Sequence, residues 1–159
     1  MPERAERVLV GDVEDAASVA AAKAGREGVL QHAIGSPAVQ RGCLPLLREA
    51  AERGDVPAAY PAWLEDRIAF SERRPQRYGT QFDWDPDGRM SPWPIDDPDG
   101  LAARRASVGL SPLEEQQERL RAMVARECER PPTDHDRRQR EIREWAEQAG
   151  WLQRVTSDE

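Results

Sequence analysis

Side chains that could build a large core are scarce in this chain. Only 27 of its 159 residues are Leu, Ile, Val or Phe, and the formal net charge is −7, a combination that approaches the composition of disordered chains. Twenty-two alanines and five tryptophans pull the other way. Ala is the strongest helix former, and Trp buries a large area at a single position. The balance predicts a mainly α protein, a small helical domain with a few aromatic anchors. A barrel-sized enzyme scaffold is excluded by length.

Thirty acidic residues against 23 basic ones give a field that repels phosphate backbones and anionic membranes. No nucleic acid and no membrane partner is expected. The basic residues are 22 Arg and one Lys, Lys23, a bias that fits a GC-rich genome better than a recognition task. Cys43 and Cys128 lie far apart, and the opening MPERAERVLV has no apolar signal segment. The chain therefore reads as cytoplasmic with reduced thiols. No stretch approaches the roughly 18 apolar residues of a membrane helix. Two His and two distant Cys give no metal-ligand spacing, and no motif calls for a cofactor.

Along the chain, residues 12–34 are Ala-rich with acidic residues first and read as a helix, open to interruption at Gly25 or Gly28. Ser36-Pro37 starts the clearest amphipathic helix, with Val39, Cys43, Leu47 and Ala50 on one stripe until Gly54. Residues 58–72 read as a third helix carrying Trp63, Leu64, Ile68 and Phe70. Residues 73–100 change character. Asp87-Gly88 between Gln81–Trp84 and Arg89–Trp93 predicts a short two-stranded β-ribbon with an ordered loop, since linkers seldom hold Tyr78, Phe82, Trp84 and Trp93. Asp97-Pro98 opens a short helix to Val108, and Ser111-Pro112-Leu113-Glu114 reads as a capping box opening a longer one to about Glu129. After Pro131-Pro132, residues 134–149 form a polar helix with Ile142, Trp145 and Ala149 on a narrow stripe and Gly150 as its stop.

Chemistry concentrates in residues 74–81, RPQRYGTQ. Gln76, Tyr78, Thr80 and Gln81 carry groups that both donate and accept, and Gly79 permits close backbone approach. If this stretch is extended, Gln76, Tyr78, Thr80 and Phe82 share one face. It reads either as a site for a polar ligand or as a loop whose side chains satisfy its own buried backbone. His32, in Gln31-His32-Ala33, sits at the flank of an apolar arc, where an imidazole serves as a general acid/base or as a structural hydrogen-bonding residue. His135 reads as a solvated charge. Asp66-Arg67 offers a carboxylate to orient His32 or, alternatively, a helix-to-ribbon salt bridge. Cys43 reads as an inert core thiol.

Gln31-His32-Ala33, Pro37 with Gln40–Leu44 (QRGCL), Asp66-Arg67-Ile68, the 74–81 stretch, Pro94-Ile95-Asp96-Asp97-Pro98, and Arg104-Arg105 with Val108-Gly109-Leu110 occur in an order that resembles the bacterial family of unknown function DUF6624. The resemblance spans roughly residues 8–115 and implies a helical domain there. It marks Gln31, His32, Asp66, Arg67, Gln76, Tyr78, Gly79, Thr80 and Gln81 as motif residues. Residues 116–159 then read as a charged helical extension, with its helices as the surface for a homodimer.

Two functions follow from this reading. The first is a small cofactor-independent enzyme acting on a polar small molecule or peptide by hydrolysis, cyclisation or elimination, in a setting such as specialised metabolism. His32 is then the acid/base, Asp66 and Tyr78 complete the catalytic set, and Gln31, Arg67, Gln76, Thr80 and Gln81 hold substrate. The second is a non-catalytic module that binds a ligand or a protein with the same loop.

Overall fold

A computed structural model describes residues 36–153. Gln31, His32 and the helix expected over 12–34 lie outside these residues. The described chain is mainly α with one two-stranded antiparallel sheet, in the order α1 (Pro37–Glu52), α2 (Ala59–Ser71), β1 (Phe82–Trp84), β2 (Met90–Pro92), a 3₁₀ turn (Pro98–Gly100), α3 (Leu101–Ser107), α4 (Leu113–Arg126) and α5 (His135–Gln148). None of the described helices is long and apolar enough to cross a membrane.

Local signals explain most boundaries. Ser36 is the N-cap of α1 and Pro37 sits in its first turn, where the missing N–H costs nothing. Asp134 caps α5 by accepting from the Arg137 amide at 2.8 Å, and Gly150 at φ +85° lets the chain turn back so that Trp151 N–H bonds Ala146 O at 2.8 Å. The hairpin pairs Phe82 with Pro92, Asp83 with Ser91 and Trp84 with Met90. Its connection is longer than a two-residue Asp-Gly turn. The turn closes through Gly88 N to Asp85 O at 3.0 Å, and Gly88 then takes φ +74°, the three-residue arrangement with a left-handed third position.

The expected capping box does not form. Pro112 is the N-cap of α4, and it has no side-chain cap. Ser111 is drawn elsewhere: its carbonyl accepts from Arg105 and its hydroxyl from Arg119. Competition from two guanidiniums outweighs a single capping bond worth about 1 kcal/mol.

Burial follows two centres. Phe82, Trp84 and Met90 of the hairpin pack with Leu120 and Val124 of α4, while Leu64 and Ile68 of α2 pack with Ala146 and Trp151, flanked by Cys43, Leu44 and Leu47 of α1. The polar segment 116–153 therefore supplies apolar side chains to both. Strand alternation sends Phe82 and Trp84 to one side and Asp83 to the other, where α5 lies. His135 is a correction to its reading as a solvated charge. It is half-buried, with Nε2 3.0 Å from the Trp84 carbonyl, so that nitrogen carries the proton and donates.

Candidate functional site

Helix α2 is buried on more than one face, which sequence periodicity alone would not forecast. Leu64 and Ile68 enter the α1/α5 core, and Ala62, Asp66, Ala69 and Phe70, one turn apart on another face, are buried as well. Asp66 is fully buried and turns its carboxylate to the loop that follows Gln76.

That loop is not extended. Gly79 takes φ +69°, and the backbone curls so that three N–H groups converge on one carboxylate. Arg77 N donates to Asp66 Oδ1 at 2.8 Å, Tyr78 N lies between both oxygens at 3.0 and 3.2 Å, and Thr80 donates to Oδ2 through its amide and its hydroxyl, each at 2.9 Å. The arrangement is an anion nest whose anion is the protein's own side chain. Burial pushes the Asp66 carboxyl above the usual carboxylate range, and the converging donors offset only part of that rise.

The carbonyls of the same loop are also taken. Arg104 Nε donates to Arg77 O at 3.0 Å, and Arg105 Nη1 donates to Tyr78 O at 2.6 Å and Gly79 O at 3.1 Å. Arg105 is 1% exposed, and its other nitrogens reach Ser111 O at 2.7 Å and Gln116 Oε1 at 2.6 Å. A buried anion thus holds one edge of the loop and a buried cation the other.

Gln76 closes the loop at its base. Its side-chain amide imitates a strand: Oε1 accepts from Gln81 N at 2.8 Å while Nε2 donates to Gln81 O at 2.9 Å and Trp93 O at 2.8 Å. Gln81 Nε2 donates to Thr80 Oγ1 at 3.1 Å. Asp66, Gln76, Tyr78, Thr80 and Gln81 are therefore brought together, and most of their polar atoms meet the loop itself rather than an open face. Tyr78 is half-buried and Arg77 exposed, with the Arg77 guanidinium 6.0 Å from the centre of the Tyr78 ring. Arg67 is half-buried on α2. The Asp66 carboxylate is satisfied by the loop.

Gly79 has two reasons to be glycine. Its φ is positive, and a Cβ there would stand 3.1 Å from Leu113 Cδ1 and 3.4 Å from Ile95 Cδ1. Gly79→Ala is expected to lower stability by about 2 kcal/mol, read as a lower midpoint in urea at unchanged slope. A neutral result would mean that the loop relaxes without loss.

Arg105 had no assigned role in the sequence reading although Arg104-Arg105 stood among the motifs. The signal was available: Leu101 and Arg105, four apart, are the two buried residues of α3, so the inward stripe of this short helix ends on a guanidinium. Gln40, in the QRGCL stretch, is fully buried on α1, and neither atom of its amide has a hydrogen-bond partner among the described residues. No group of three or more His, Cys, Asp or Glu able to hold a metal occurs among the described residues.

Fold and site together define a small, mainly α domain organised around a doubly clamped polar loop. The chain belongs to DUF6624, a family of unknown function whose model matches residues 12–125, a span that takes in the loop, both clamping arginines and nearly all of α4. No curated protein and no solved structure matches it.

Proposed function

We propose that this domain is a non-catalytic binding module for a polar small molecule or peptide, with the 77–81 loop as its rigid platform. One observation supports this over the acid/base reading. Asp66, the residue that would orient His32, accepts from four donors of the loop across both its oxygens, so its carboxylate is engaged in holding the backbone. Polar groups invested in holding a backbone rigid favour recognition, because a preorganised surface loses little entropy when it binds. Arg77 and Tyr78 are the groups left facing outward, a cation beside an aromatic face, suited to a ligand with a planar or acidic group. In this reading Trp145, 37% exposed on α5, is the apolar side chain available to a homodimer contact.

The test incubates the full chain with a filtered small-molecule and peptide extract and identifies retained and altered compounds by mass spectrometry. Wild type and His32→Ala are expected to retain the same compound unchanged, and Tyr78→Ala, whose backbone keeps both clamps, to lose it. Conversion of a compound by wild type but not by His32→Ala would overturn the binding reading in favour of the enzyme.

A further inference from the structure

A second polar cluster lies apart from the loop clamp, where α2 ends and α5 crosses the outer side of β1. The carboxylate at its centre, Asp83, is committed: Oδ1 accepts from Trp84 N at 2.8 Å and from Arg138, and Oδ2 accepts from Gln139 Nε2 at 3.0 Å. Arg73 reaches this group only indirectly. Its Nη2 donates to the neutral oxygen of Gln139, and its Nη1 is buried with no hydrogen-bond partner among the described residues. The guanidinium lies 4.3 Å from the centre of the Trp93 ring, which shields one face from water without supplying an acceptor.

Charge in this cluster is unbalanced. Burial pushes the Arg73 guanidinium below the usual arginine range against the pull of Asp83, and the like charges of Arg143 and Arg138 add to that fall. Arg138 is paired with Asp83 and Arg143 with Glu147, so Arg73 is the cation of the three that has no carboxylate of its own among the described residues. The backbone adds an independent sign. Arg73 sits at φ +56°, just after the C-cap of α2, in the place where helices ordinarily end on glycine. An arginine there accepts local strain to put a guanidinium over Trp93, and strain of that kind concentrates at functional sites.

We infer that Arg73, Arg138 and Arg143 form a binding site for an oxyanion, the carboxylate or phosphate group of a small molecule, with Arg73 Nη1 as its principal donor. The site is independent of the platform proposed above: it is carried by the end of α2 and by α5 and uses neither Arg77 nor Tyr78. An oxyanion supplies the missing acceptor and offsets the excess positive charge, and the planar guanidinium matches its geometry.

The experiment is a calorimetric titration of the full chain with sodium acetate and with sodium phosphate, each against sodium chloride at equal ionic strength. Saturable binding of either anion beyond chloride is expected, and the arm that binds identifies carboxylate or phosphate. Arg73→Gly, which suits the backbone conformation while removing the donor, is expected to weaken binding about tenfold and to keep a cooperative unfolding transition. Arg143→Gln, at an exposed position, is expected to weaken it about two- to threefold. Binding no stronger than chloride, or equal in wild type and Arg73→Gly, identifies an adventitious ion only and overturns the proposal. Should Arg73→Gly fail to fold, the Arg143→Gln titration decides, and unchanged affinity there overturns it.

Discussion

Replacing Asp66 with alanine is expected to cost roughly 4 kcal/mol and to lower the melting temperature by about 10 °C. The substitution removes the acceptor for three backbone amides and one hydroxyl that lie in the interior, and a buried donor left unpaired costs about 1–3 kcal/mol. Asp66→Asn keeps the shape and is expected to recover part of the loss, because one oxygen still accepts while the new amide opposes donors on the other side. A melting temperature within about 2 °C of wild type for Asp66→Ala would show that the loop finds other partners, and the clamp would lose its standing as the organising feature.

The same pair of proteins reports the ionisation. The folded state holds the Asp66 proton more tightly than the unfolded chain does, since burial raises the folded value. The stabilising contribution of this group is therefore fully present below the unfolded Asp range, near pH 4, and is lost as pH rises through the raised folded value. Asn does not titrate. The stability advantage of wild type over Asp66→Asn, measured by urea unfolding at a series of pH values, is thus expected to shrink from pH 4 upward. A gap that widens over that range would mean that the converging donors outweigh burial.

Arg105→Met is expected to destabilise by a similar amount, roughly 4 kcal/mol, although Met fills much of the space. Its loss strands the carbonyls of Tyr78, Gly79 and Ser111 and the amide oxygen of Gln116 together. Arg105→Lys keeps the charge but has no planar fork to serve acceptors on separate sides, so it is expected to restore less than half. Because Asp66 and Arg105 hold opposite edges of one loop, the double variant is expected to cost less than the sum of the singles by about 1–2 kcal/mol. Additive effects would mean that the two clamps act on independent elements.

These expectations differ in how far the sequence anticipated them. The helices from Ser36 onward and the hairpin were readable because each rests on short-range chemistry: a proline in a first turn, a four-residue stripe, an Asp-Gly turn, a glycine after a last turn. The capping box fails through competition. Ser111 has the right neighbours in sequence, but Arg105, six residues before it, takes its carbonyl and Arg119, eight residues after it, takes its hydroxyl. For His135 the reason is long range. Its flanking charges say solvent, whereas the strand that covers it is contributed by residues about fifty positions earlier.

The candidate site shows the same division within a single motif. Residue types alone mark Gln76, Tyr78, Gly79, Thr80 and Gln81 as a place where donors, acceptors and a permissive backbone collect, and they mark Asp66 as a carboxylate worth following. Whether those groups face a ligand or one another depends on the curl at Gly79 and on where α2 and α3 pass it, and neither is a local property. Short-range preferences act through a few bonds and are written in neighbouring residues. A buried charge is tolerable only where distant segments bring it partners, so the placement of Asp66, Arg105 and Arg73 was decided by the packing of the whole chain.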